Sequence, residues 1–222
     1  ITGDGGEHEA VLFKAQQIKR GRITAADGTL LARSVRSGQG ASRQFVREYP
    51  TAGLFAHPIG YSFIEQGRVE FESFNNDELI GEDSEVTSLL DELRGREQIG
   101  NNVSTSLDPA AQQTAFDLLA GRPGAVVAIE PGSCRVRAMV SQPSYDPNVV
   151  PDQLNELNAD PGSPLLNRST QGQYPPGSTF KLVTATAALD SGNIDLESVI
   201  DSPAELDIQG QPLANAGGAA FG

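Results

Sequence analysis

Ser178 and Lys181 lie three residues apart in the stretch QYPPGSTFKLVTATAALDSGN, residues 173–193. Lys181 is one of only three lysines in the chain, and the other two, Lys14 and Lys19, lie near the amino terminus. A serine and a lysine at this spacing share one face of a helix, so an amine at 181 can reach a hydroxyl at 178. The pair would serve as a nucleophile and its base. A helix amino terminus adds backbone N–H groups and a positive field that stabilise developing negative charge. An ammonium held in apolar surroundings gives up its proton more readily, which is how a buried lysine acts as a base. The flank LVTATAAL is apolar or small, so the helix is expected to be buried on most sides, with Lys181 away from the surface. The plain alternative is an N-cap serine and a solvated charge. Ser-x-x-Lys alone is a weak signal, with about one chance match expected in a chain of this size.

The elements that must position the pair can be read on either side of it. RGRITA and TLLARS flank the Asp-Gly turn at Asp27–Gly28 and read as a hairpin. RQFVREYPTAGLFAHPIGYSF mixes a strand with turns at Pro50, Gly53 and Pro58. Residues 9–18 read as a short helix or an extended entry segment, and the acidic stretch 75–102 as helical in its middle. A polar break there places a domain boundary near residues 100–104. In the second region Asp108 is positioned as an N-cap with Pro109 at the first helical position. Ala111, Ala115, Leu118 and Leu119 form an apolar stripe, and Gly121 and Pro123 stop the helix. GAVVAIEP and RVRAMVSQ read as two strands joined by the turn PGSC. PSYDPNVVPD reads as a proline-rich loop, followed by a polar stretch that leads to Ser178.

Composition narrows the classes of function. The net charge of −13 over 222 residues argues against a nucleic-acid partner and against anionic lipid surfaces. One cysteine, Cys134, rules out an internal disulfide. No run of 18 apolar residues is present, so no membrane span is expected within the chain. The chain begins at Ile1, which reads as a processed product that has lost an N-terminal anchor. His8 and His57 are too few for a zinc site, and no phosphate-binding glycine loop is present, so no metal or cofactor is expected. Glu82/Asp83 and Asp91/Glu92 read as a solvated acidic face.

YPPGSTFK closely resembles the active-site serine motif of penicillin-binding proteins, the enzymes that cross-link peptidoglycan. The resemblance extends in order along the chain from about residue 18. RGRITAADGTLLARS and REYPTAGLFAHPIGY are similar to the opening boxes of class B members, and the form is closest to actinobacterial enzymes. STSLDPAAQQTAFDLL, GAVVAIEP and VRAMVSQPSYDPN look like the first helix, first strands and following loop of the transpeptidase domain. The resemblance implies an α+β chain. Residues 1–103 form an N-terminal mixed α/β pedestal of the dimerisation type. Residues 104–222 form the first part of an α/β transpeptidase domain of the serine β-lactamase-like fold. It implies acyl transfer with Ser178 as nucleophile, Lys181 as base and the Ser178 backbone N–H as half of an oxyanion hole. The implied partners are a D-Ala-D-Ala stem peptide, β-lactam antibiotics and membrane proteins of the divisome or elongasome. The implied place is the extracytoplasmic face of a bacterial membrane.

Three departures qualify the resemblance. No lysine follows Lys181, so the family's Lys-Thr-Gly is absent. Ser191-Gly192-Asn193 matches Ser-x-Asn only on paper, because it follows Ser178 by about three helical turns and reads as a helix C-cap. Ser73 to Asn75 precedes the motif and is a chance match. The chain is therefore expected to stop within the transpeptidase domain and to be inactive alone, leaving a two-stranded unit with an open edge. Cys134 stands where the family turn has a glycine, and no basic cluster beside it suggests a reactive thiol. A β-lactam sensor or a catalytically inactive scaffold of a wall-synthesis complex is the alternative on the same fold. A serine β-lactamase is disfavoured by the pedestal.

Overall fold

The computed structural model describes residues 17–38, 44–81 and 99–220. They fall into two compact units, one ending at Gln173 and the other beginning at Tyr174. The boundary expected near residue 103 lies inside the first of these. Most of residues 9–18 and the middle of the acidic stretch, with Glu82, Asp83, Asp91 and Glu92, lie outside the described residues.

In the first unit, β1 (Ile23–Thr24) and β2 (Leu30–Ser37) form the expected hairpin, with Gly28 at φ 88° supplying the left-handed turn. β3 (Gln44–Glu48) pairs antiparallel with β2, Val46 opposite Val35. The chain then makes a 3-10 turn and the four-residue α1 (Ala56–Ile59), the short hairpin β4 (Ser62–Phe63) and β5 (Gly67–Arg68), then α2 (Glu70–Phe74) and α3 (Asn76–Ile80). β6 (Val103–Ser104) returns parallel to β1 and completes a sheet of order β3-β2-β1-β6. The approach to β6 passes against α3 so closely that a Cβ on Gly100 would stand 1.7 Å from the Leu79 carbonyl oxygen, so only glycine fits.

The helix α4 (Pro109–Leu119) begins as expected. The Asp108 carboxylate accepts the N–H groups of Ala110 and Ala111, and Pro109 occupies the first turn. Its end comes at Ala120, already left-handed at φ 50°, with Gly121 at φ 75° after it. β7 (Gly124–Ile129) and β8 (Val136–Gln142) form an antiparallel pair, and Cys134 in their turn has φ 56°. The proline-rich loop ends sooner than the sequence suggests. After a 3-10 turn at Pro147–Val149, α5 (Val150–Ala159) forms. Its prolines sit in first turns, where the missing N–H would be unbonded anyway, and the Asp146 carboxylate accepts the Asn148 N–H. Proline there marks a helix start, not a loop.

One core joins both sides of the expected boundary. Ile23, Leu31, Phe55, Ile59 and Leu79 pack with Leu107, Tyr145 and Val150, all buried. Side-chain amides tie the two segments: Gln112 donates to the Leu54 and Met139 carbonyls and accepts from Met139 N–H, and Asn148 brackets Tyr49. The second unit contains α6 (Lys181–Asp190) and the hairpin of β9 (Glu205–Ile208) and β10 (Gln211–Ala214).

Candidate active site

Pro175 and Pro176 lead into a 3-10 turn, Gly177–Phe180, which runs directly into α6. Ser178 stands within the turn and Lys181 opens the helix. The Lys181 backbone N–H closes the junction on the Ser178 and Thr179 carbonyls, and the Thr179 side chain donates to the Pro176 carbonyl. Gly177 has φ 52°, and nothing lies within 4 Å of where a Cβ would be, so the serine is approached past open space.

The structure corrects two readings of this segment. Ser178 does not cap the helix, since Pro176 flanks the turn and no side-chain cap bond forms. Nor is the helix buried. Ser178 and Lys181 are both exposed, and Leu182 (75%) and Val183 (55%) face solvent. The apolar composition of α6 is not matched by burial of its large apolar side chains. Neither the Ser178 hydroxyl nor the Lys181 amine makes a hydrogen bond among the described residues, and the Ser178 backbone N–H has no backbone acceptor there. The helix ends as expected at Asp190, with Ser191 as its cap and Gly192 at φ 69°, so Ser191 to Asn193 is a helix terminus.

The other candidates are structural. His57 is buried beside Tyr145, ring centroids 5.4 Å apart, with Nε2 3.4 Å from the Pro143 carbonyl oxygen. Burial pushes its pKa down to about 4, with the Arg168 charge adding to the effect. Cys134 is exposed and unpaired. Among the described residues no cluster of three His, Cys, Asp or Glu could hold a metal, and no helix is long and apolar enough to cross a membrane.

Sequence reasoning missed the buried ion cluster of the first unit. Glu72 is fully buried, Oε2 at 2.9 Å from Arg20 Nη2 and Oε1 at 2.6 Å from Arg47 Nε. The Tyr49 hydroxyl donates to Glu72 Oε1 and accepts the Ser62 N–H; burial and the carboxylate raise its pKa well above the usual tyrosine value. Burial lowers that of Arg20 despite Glu72. The three charges are spread over 52 residues, and no local pattern announces that they meet.

Comparison with known proteins matches both parts of the chain. Residues 20–103 match the penicillin-binding protein A dimerisation domain and residues 124–216 the penicillin-binding protein transpeptidase domain. The peptidoglycan D,D-transpeptidase PbpA of Mycobacterium tuberculosis is 36% identical, over 100% of this chain and 49% of that protein. Escherichia coli MrdA, also named a peptidoglycan D,D-transpeptidase, is 36% identical over 74% of this chain and 31% of its own length. The imipenem acyl-enzyme structure of M. tuberculosis penicillin-binding protein A superimposes with a TM-score of 0.79 at 35% identity, over 92% of this chain and 50% of that one. The chain spans about half the length of the M. tuberculosis relative.

Proposed function

From the premise that this chain belongs to the penicillin-binding protein family, we propose that it carries the nucleophile of a class B peptidoglycan D,D-transpeptidase. The supporting observation is the serine-lysine turn at the start of an exposed helix, inside the residues that match the transpeptidase domain. Residues 1–103 serve as the pedestal and 104–222 as the first part of the catalytic domain.

The Ser178 hydroxyl attacks the carbonyl between the two terminal D-alanines of a stem peptide, and Lys181 accepts its proton. The Ser178 backbone N–H holds the developing oxyanion, a role open to it because no backbone group among the described residues claims that N–H. The C–N bond breaks and D-alanine leaves with the proton. The amine of a neighbouring stem peptide then attacks the ester, forms the cross-link and regenerates the serine. A β-lactam acylates the same oxygen and leaves slowly. The chemistry takes place outside the cytoplasmic membrane, beside membrane proteins of the division or elongation complex.

The Ser178 hydroxyl and the Lys181 amine make no hydrogen bond among the described residues, and the 222 residues alone are expected not to react. The test is D-alanine release from a D-Ala-D-Ala donor peptide by the full-length protein. Release that disappears in Lys181→Ala supports the transpeptidase. Uptake of penicillin without D-alanine release would replace it with a β-lactam sensor, and neither reaction would leave a scaffold.

A further inference from the structure

A cavity of about 480 Å³ opens in the first unit, and Arg20 and Arg47 both line it. The cluster behind it holds two guanidinium groups against one carboxylate, Glu72, so a net positive charge is buried in a chain of net charge −13. Arg47 is 5% exposed and Arg20 9%. Their bonds to Glu72, Asn76 and the Gly21 carbonyl still leave Arg47 Nη2 and Arg20 Nε without an acceptor among the described residues. An unmet buried donor is unfavourable, more so when charged, and native folds rarely keep two together.

The cavity runs along Gln44 to Arg47, the whole of β3 but its last residue. β3 is the outermost strand of its sheet, and among the described residues only β2 pairs with it. An outer strand presents a row of backbone donors and acceptors ready for one more strand. Phe45 and Phe63 give the groove apolar sides, and the rim mixes Arg68 with Glu65 and Asp152.

We infer that this groove docks an extended segment of a partner protein, which adds as a strand to β3 and sends a carboxylate side chain down to Arg20 and Arg47. Backbone pairing supplies the affinity, and the carboxylate supplies the specificity. It also supplies the counter-charge that the buried cluster lacks. The inference is independent of the reaction assigned to Ser178.

The test is an NMR titration of the isotope-labelled chain with two ten-residue peptides, one alternating Val and Glu, the other Val and Ser. The Val-Glu peptide is expected to shift the amides of Gln44–Arg47 and Ser62–Gln66 and the Arg20 Nε–H. The Val-Ser peptide should bind at least about tenfold more weakly, because it brings no charged acceptor. Replacing Arg47 itself endangers the fold, so the companion variant is the exposed Arg68→Glu, expected to weaken Val-Glu binding roughly threefold. Shifts elsewhere, equal binding of the two peptides, or no shift at all would overturn the inference. Sedimentation that finds a dimer dissolved by the Val-Glu peptide would also overturn it, by giving the groove to a second copy of this chain.

Discussion

Lowering the pH from 7 to 5 should destabilise the first unit through His57. The ring is buried at the seam between α1 and the segment after β8, and its pKa in the fold is about 4 against 6.5 for an ordinary histidine. Above pH 6.5 the ring is neutral folded or unfolded, and it contributes no pH dependence. As the pH falls below 6.5 the unfolded chain takes up a proton that the folded one refuses. Stability therefore falls, and the loss levels off only below pH 4. The full loss is about 3 kcal/mol, and about 2 kcal/mol of it falls between pH 7 and 5. The readout is tyrosine fluorescence during urea unfolding, because the chain has no tryptophan and Tyr49, Tyr61 and Tyr145 all lie in this core. His57→Gln keeps a donor for the Pro143 carbonyl and cannot titrate. It should be less stable at pH 7, having lost the ring packed on Tyr145, yet lose about 2 kcal/mol less between pH 7 and 5. His8 is common to both proteins and cancels. Equal losses in the two would refute the assignment.

Other perturbations probe the remaining supports. Glu72→Gln leaves two buried guanidinium groups without a counter-ion and should lower stability by about 3–5 kcal/mol, measured as a fall in the urea midpoint. Gly100→Ala forces a Cβ onto the Leu79 carbonyl and should be unfavourable by about 2 kcal/mol or more, visible as a lower melting temperature of the same unit. Cys134→Gly relieves a left-handed backbone in an exposed turn and should raise stability by about 0.5–1 kcal/mol in calorimetry.

Local signals in the sequence were legible wherever the chain's own neighbours decide the structure. The Asp27–Gly28 turn, the Asp108 cap with Pro109 after it, and the paired strands 124–129 and 136–142 needed no distant partner to declare themselves. So did the C-terminal end of α6, where Gly192 stops the helix. What failed depended on distant residues or on proline's double meaning. Pro147 and Pro151 read as loop residues, and they open a 3-10 turn and a helix. The apolar composition of α6 indicated a buried helix, yet Leu182, Val183 and Leu189 are exposed. The Glu72 cluster and the Gln112 and Asn148 bridges join positions far apart in sequence, each by side-chain geometry that no period or spacing encodes. The serine-lysine pair was legible as a pattern, while its exposed setting was not.

The most direct test of the central claim is intact-protein mass spectrometry after exposure to benzylpenicillin, applied to the full-length protein, its Ser178→Ala variant and the 222-residue chain. A stable adduct on the full-length protein, lost in Ser178→Ala and absent from the 222 residues, is the predicted result. An adduct that survives Ser178→Ala, or none on the full-length protein, would contradict Ser178 as the nucleophile.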